Sequence, residues 1–108
     1  MQRPAALVRR WFGLTEDWHK HWDFVKNNYD LGLAHLEQGN AADAVFRFTM
    51  VSWLAPQDAN VWYQLGRAYW TYDKPQKSIQ ALKKALQLDP EHVDAKIALE
   101  EVQKRMGG

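Results

Sequence analysis

The chain contains no cysteine, so it has neither a disulfide nor a thiolate metal ligand available. None of its apolar runs approaches the roughly 20 residues that a membrane-spanning helix needs. The short apolar run at residues 5–8 is also below the length of about 7–15 residues typical of a secretory signal. The formal net charge of +1 lacks the basic excess that marks nucleic-acid-binding proteins. We therefore expect a cytoplasmic protein that binds no nucleic acid.

The sequence also lacks the residue patterns of catalytic and metal-binding sites. Gly32, Gly39 and Gly66 are isolated and no glycine-rich phosphate-binding loop occurs, and no nucleophile stands in a motif with a base. His19 and His21 lie near Asp17, but residues two apart point to different sides of a helix and do not chelate one ion. We expect His35 in the core and His92 in a capping turn. The sequence therefore predicts no enzyme activity, no cofactor and no bound metal.

The chain matches itself when it is shifted by 34 residues. The matching positions are Leu31-Gly32 with Leu65-Gly66, Ala44 with Ser78, Phe48 with Leu82, Val51 with Ala85, Leu54 with Leu88, and Pro56 with Pro90. Small, apolar and proline positions therefore agree in register over two successive units, which indicates a structural repeat.

Each unit is predicted to hold two helices, and the second unit shows this most clearly. Its first helix, over residues 59–72, has one face formed by Trp62, Leu65, Gly66 and Tyr69. Pro75 can open the second helix, which we expect over residues 75–88. Asp89 and Pro90 then predict the N-cap and the first position of a third helix.

These residues resemble the tetratricopeptide repeat. The resemblance rests on Trp62-x2-Leu65-Gly66-x2-Tyr69, followed by Ser78, Leu82, Ala85 and Pro90. The earlier unit is similar, but Asn28 replaces the usual tryptophan and His35 the usual tyrosine. The resemblance implies an all-α solenoid with one repeat over residues 25–58, a second over 59–92, and a capping helix over 93–108. Gly32 and Gly66 are then expected to let the second helix of each pair approach closely.

Residues 1–24 are expected to form a helical extension before the repeats. Pro4 can open a short helix over residues 4–12, and its apolar face would consist of Leu7, Val8, Trp11 and Phe12. Thr15 can cap a second helix. Since apolar residues continue at helical spacing from Trp18 to Leu36, this second helix is predicted to run unbroken to Gly39-Asn40.

In the family that the chain resembles, the first helix of each pair lines a concave groove that binds peptides. The corresponding residues here are Lys26, Tyr29, Leu33, Leu36, Asn60, Tyr63, Arg67, Trp70, Ile97, Glu101 and Lys104. Co-chaperone repeats hold a C-terminal carboxylate with a lysine–asparagine clamp, which is absent here, because its positions are occupied by Tyr29, Leu33, Gln64, Asp94 and Ala98. The alternative is that the short array closes on itself and the aromatic side chains belong to the core.

A second apolar surface follows from comparing the two units. Phe46, Met50 and Trp53 share one helix face, and the matching residues of the second unit are Gln80, Lys84 and Gln87. Large exposed apolar patches usually mark an interface. Together with Trp11 and Phe12, this surface is a candidate second interface. Residues 4–12, a second copy of the chain or a membrane surface would cover it, and we favour the first two.

The sequence thus predicts a protein-interaction module, an adaptor or chaperone-like protein that binds a peptide or helical segment of another protein in the concave groove. The alternative is a structural unit that self-assembles into a homo-oligomer or docks at a membrane through its apolar N-terminal and convex surfaces. Basic residues beside the apolar face of residues 4–12 give the membrane version only weak support.

Overall fold

The computed structural model describes residues 18–107, with side chains from residue 20 onward. Five α-helices and no strand occur in this part of the chain: α1 (Trp18–Glu37), α2 (Ala41–Leu54), α3 (Ala59–Thr71), α4 (Pro75–Leu88) and α5 (Val93–Gly107). None of these helices is both long and apolar enough to cross a bilayer. The helix predicted over residues 4–12, the Thr15 cap and the side chains of Trp11 and Phe12 lie outside the described residues.

The helices form an all-α solenoid, as predicted. Each helix packs on the next one along the chain, and α1, α3 and α5 also contact one another in that order. Across residues 18–107, no corresponding contact joins α2 to α4. The odd-numbered helices therefore lie on the inner side of the curve, and the even-numbered helices lie on the outer side.

The main core lies where α2 meets α3 and continues to α4. Its buried side chains are Ala44, Phe48, Leu65, Ala68 and Ala81. A second cluster, Val25, Val51 and Val61, joins α1 to the far end of the same interface. Burial of one large apolar side chain contributes about 1.5–3 kcal/mol, so these clusters supply most of the stabilisation of a small domain.

Two glycines set the distance between the helices of each pair. A Cβ atom on Gly32 would lie 2.7 Å from the Phe48 ring, and one on Gly66 would lie 2.7 Å from Leu82. Ser78 fills the remaining space in the second pair, where its hydroxyl donates a hydrogen bond of 2.8 Å to the carbonyl oxygen of Gly66. The close approach expected at both glycines is therefore present.

The first helix of each pair ends in the same turn. The amide of Asn40 donates to the carbonyl of His35 and that of Gly39 to Leu36; the equivalent bonds run from Lys74 to Tyr69 and from Asp73 to Trp70. This pair of backbone hydrogen bonds is the Schellman motif, which places one residue in the left-handed region of backbone conformation. That residue is Gly39 in the first pair, with φ of 80°, and Asp73 in the second, with φ of 63°.

The prediction that Asp89 and Pro90 begin the last helix is wrong. The carboxylate of Asp89 accepts a hydrogen bond of 3.1 Å from the amide of Glu91, which closes a local turn. The helix begins at Val93 instead, and His92 caps it, because its Nδ1 accepts from the amide of Ala95 at 3.1 Å. Along α5, exposed Glu100 stands where the two preceding units have Gly32 and Gly66.

Gly66→Ala should lower the free energy of unfolding by about 1–3 kcal/mol, because the added methyl group overpacks the contact with Leu82. Chemical denaturation would measure the change. Gly107→Ala is the matched control, since no atom lies within 4 Å of its Cβ position. Equal effects of the two substitutions would contradict the tight contact.

Asp73→Gly should raise the free energy of unfolding by about 0.5–1 kcal/mol, because glycine adopts positive φ without the steric cost that a side chain carries. The reciprocal change, Gly39→Asp, should lower it by a similar amount. Thermal unfolding of both variants checks the pair. A stabilised Gly39→Asp variant would show that the two turns are not equivalent.

Candidate protein-binding site

The inner side of the solenoid is centred on α3. Asp58 caps this helix, since its carboxylate accepts a hydrogen bond of 2.9 Å from the amide of Asn60. Trp62 anchors the opposite side, where its indole N–H donates to the carbonyl of Pro56 at 2.9 Å. With the helix fixed in this rotation, the inner side presents, in order, Asn60, Tyr63, Arg67 and Trp70.

His92 connects α3 to the start of α5. Its Nε2 lies 2.7 Å from the Oδ1 of Asn60, and its ring packs against Tyr63 with centroids 5.0 Å apart. Because Nδ1 accepts a hydrogen bond from the Ala95 amide, the neutral imidazole carries its proton on Nε2. This N–H donates a hydrogen bond to the Oδ1 of Asn60. Asn60 and Tyr63 are therefore held in place by a side chain that the sequence assigned only to a turn.

The role of His92 could have been found from the repeat itself. The 34-residue shift places His92 on Asp58, the residue that caps α3. Histidine is not among the residues preferred at N-caps, whereas Asp89 followed by Pro90 has the expected composition of a helix start. The composition therefore favoured the wrong cap, while the repeat register indicated the right one.

Arg67 and Glu101 lie at the rim of a small cleft between α3 and α5. The cleft has a volume of about 90 Å³ and is lined by Gly66, Arg67, Trp70, Ser78, Leu82, Ala98, Glu101 and Val102. Arg67 is exposed and donates a hydrogen bond of 2.7 Å to Gln64, while Glu101 accepts one of 2.9 Å from Arg105. The cleft thus combines an apolar floor with one positive and one negative side chain at its edge.

A second cleft lies on the other side of α3, towards α1. It has a volume of about 360 Å³ and is lined by Trp22, Val25, Lys26, Tyr29, Val51, Asp58, Asn60 and Val61. Lys26 is exposed and forms an ion pair of 3.0 Å with Asp30. An exposed pair of this kind contributes little to stability, so Lys26 can exchange its partner at small cost.

Part of the predicted groove belongs to the core. Tyr29, Leu33 and Leu36 are half-buried and pack against the main cluster. Tyr29 makes an edge-on contact with Phe48, with ring centroids 5.5 Å apart. Burial raises the pKa of the Tyr29 hydroxyl, and the carboxylates of Asp58 and Asp30 raise it further, while Gln64 and Arg67 oppose them. For these three side chains of α1, packing in the core, which was the alternative to a binding groove, therefore agrees with their burial.

Ile97 is 58% exposed on α5 and lines neither of the two clefts. On the outer side, Phe46 is 59% exposed and Trp53 is 74% exposed, whereas Met50 is half-buried. Within the part of the chain that the structure describes, no three histidine or acidic side chains are grouped to hold a metal ion.

Known proteins resemble part of this chain in sequence. The tetratricopeptide repeat family matches the chain over residues 59–92. A stretch of 65 residues is 35% identical to Superkiller protein 3 of Saccharomyces cerevisiae. That match covers 60% of this chain but only 4% of the yeast protein, so the chain is similar to a small part of it.

His92→Ala should lower the free energy of unfolding by about 1–2 kcal/mol, because α5 loses its cap and α3 loses the Asn60 contact. Hydrogen exchange at the Ala95 amide should accelerate in this variant. His92→Asn keeps a capping acceptor and should lose less stability. Unchanged exchange at Ala95 in His92→Ala would show that the cap does not protect α5.

Proposed function

Since this chain belongs to the tetratricopeptide-repeat family, whose members generally mediate protein–protein interactions, we propose that it is a non-catalytic adaptor that binds a segment of another protein. The segment lies on the inner side of the solenoid, across α3. An extended peptide or a single helical turn fits this surface better than a globular partner, because the surface is a row of small clefts.

The observation that supports this proposal is the pair of clefts on either side of α3. Both have apolar floors, and each has a charged side chain at its edge: Lys26 towards α1, and Arg67 with Glu101 towards α5. Sites of this construction bind apolar side chains in the floor and orient the ligand through a few polar contacts. We therefore expect a ligand with two apolar side chains separated by the width of α3.

Trp70 and Arg67 are the proposed anchors of the interaction. Tryptophan and arginine are over-represented among the residues that contribute most to binding energy at interfaces. Tyr63 also lies on this side, but its packing against His92 gives it a structural task. Arg67 is the better residue for a binding test, because its exposed side chain can be changed without disturbing the α3–α5 contact.

The test begins with selection of peptides from a random library on the intact chain, followed by measurement of Kd for the selected peptides. Arg67→Glu should weaken binding at least about tenfold, roughly 1.4 kcal/mol. Lys83→Glu makes the same charge change on α4, where Lys83 is exposed on the outer side. It should leave Kd within about twofold.

Two results would contradict the proposal. One is a selection that yields no binding peptide. The other is a set of peptides whose Kd changes equally in Arg67→Glu and Lys83→Glu, which would place the binding surface away from α3. Circular dichroism of each variant checks that a loss of binding does not result from unfolding of the helices.

A further inference from the structure

We propose that residues 4–12 of the same chain dock on the exposed end of the first helix pair. This end face consists of Phe24 and Leu31 on α1, and of Phe46 and Trp53 on α2. Their exposed fractions are 48%, 44%, 59% and 74% in that order. Apolar side chains exposed together to this degree indicate a surface that another element covers.

A polar contact joins the two halves of the end face. Asn28 lies between Phe24 and Leu31 on the same side of α1, and its Oδ1 accepts a hydrogen bond of 2.7 Å from Arg47. The guanidinium of Arg47 in turn lies 5.8 Å from the centre of the Phe46 ring. Trp53 follows Phe46 by seven residues, two turns further along the same side of α2. The four apolar side chains therefore border one continuous surface.

In the second helix pair, the side that corresponds to the end face is covered by the preceding helix. Leu65 of α3 matches Leu31 in the repeat, yet it is 4% exposed, whereas Leu31 is 44% exposed. Leu65 is buried because α2, the helix just before α3 in the chain, packs against it. In the same way α4 packs against α5, which follows it. Within residues 18–107, α1 has no preceding helix in that position.

The side chains of the end face also differ from those at the matching positions of the second helix pair. On its second helix the first pair carries Phe46 and Trp53 where the next pair has glutamines, whereas the next pair carries aromatic side chains on its first helix where the first pair has Asn28 and His35. The matched positions, first pair and then second, are Asn28 with Trp62, His35 with Tyr69, Phe46 with Gln80, and Trp53 with Gln87. An element that covers the end face must therefore extend over α2 and present apolar side chains to Phe46 and Trp53.

Residues 4–12 have the length, position and side chains that this surface requires. As a helix they would measure about 13 Å, and Phe24 and Leu31 are about 10 Å apart along α1. Residues 13–17 connect the segment to α1, much as residues 55–58 connect α2 to α3 and 89–92 connect α4 to α5. Leu7, Val8, Trp11 and Phe12 supply the apolar side. The segment thus takes the place before α1 that α2 takes before α3.

The short connection favours this segment over a second copy of the chain. A short tether gives an effective concentration in the millimolar range, so a separate molecule at micromolar concentration competes poorly. The same argument disfavours a membrane surface, which would have to compete with a segment tethered to the start of α1.

The absence of native cysteine allows single cysteines to report coverage in the full chain. Leu31→Cys should react with a thiol reagent at least about tenfold more slowly than Ile97→Cys, because the docked segment protects it. Ile97 is a suitable reference, since it is 58% exposed on α5, far from the end face. Adding Trp11→Asp to Leu31→Cys should restore rapid labelling, while adding it to Ile97→Cys should change nothing.

The outcomes separate the occupants. Protection of Leu31→Cys that is independent of protein concentration and lost with Trp11→Asp supports the proposal. Protection that fades on dilution would identify a second copy, and protection that requires anionic lipid vesicles would identify a membrane; either result overturns it. Labelling of Leu31→Cys as fast as Ile97→Cys would show that nothing covers the end face. Circular dichroism confirms that each Trp11→Asp variant keeps its helices.

Discussion

The close contact between a glycine on one helix and a large side chain on the next is the constraint on which this solenoid depends. Gly32 admits the Phe48 ring, and Gly66 admits Leu82, at distances where a Cβ atom would force these side chains to shift. Because both pairs close to the same spacing, the outer helix of one pair can pack against the inner helix of the next. The curve, and with it the inner surface, follows from this repetition.

The inner surface divides between side chains that hold the fold and exposed side chains that are proposed to bind. Tyr29, Leu33 and Leu36 complete the core between α1 and α3. Arg67 donates a hydrogen bond to Gln64 and Glu101 accepts one from Arg105, each within its own helix. Exposed contacts within one helix are weak, so a ligand can replace them. The proposed binding surface is thus narrower than the row of inner positions suggests.

Most of the fold could be predicted from the sequence, but less of the candidate site could be. Helix limits followed from Pro75, Gly39 and the apolar spacing, because these act locally or through the repeat. The half-burial of Leu33 and Leu36 depends on how closely α1 approaches α3, which no local pattern specifies. The expectation of His92 in a capping turn is confirmed. Its contacts with Asn60 and Tyr63 were not predicted, and the local pattern at Asp89 and Pro90 suggested a helix start that the turn geometry does not use.

The contact of His92 with both Asn60 and Tyr63 has a thermodynamic consequence for the inner surface. It orders the α3–α5 side before any ligand arrives, so binding there requires little further loss of side-chain and backbone freedom. On the α1–α3 side, exposed Lys26 pairs with Asp30 of its own helix. A ligand bound there would therefore meet side chains already ordered by His92, and, towards α1, a Lys26 side chain that can exchange its partner at small cost.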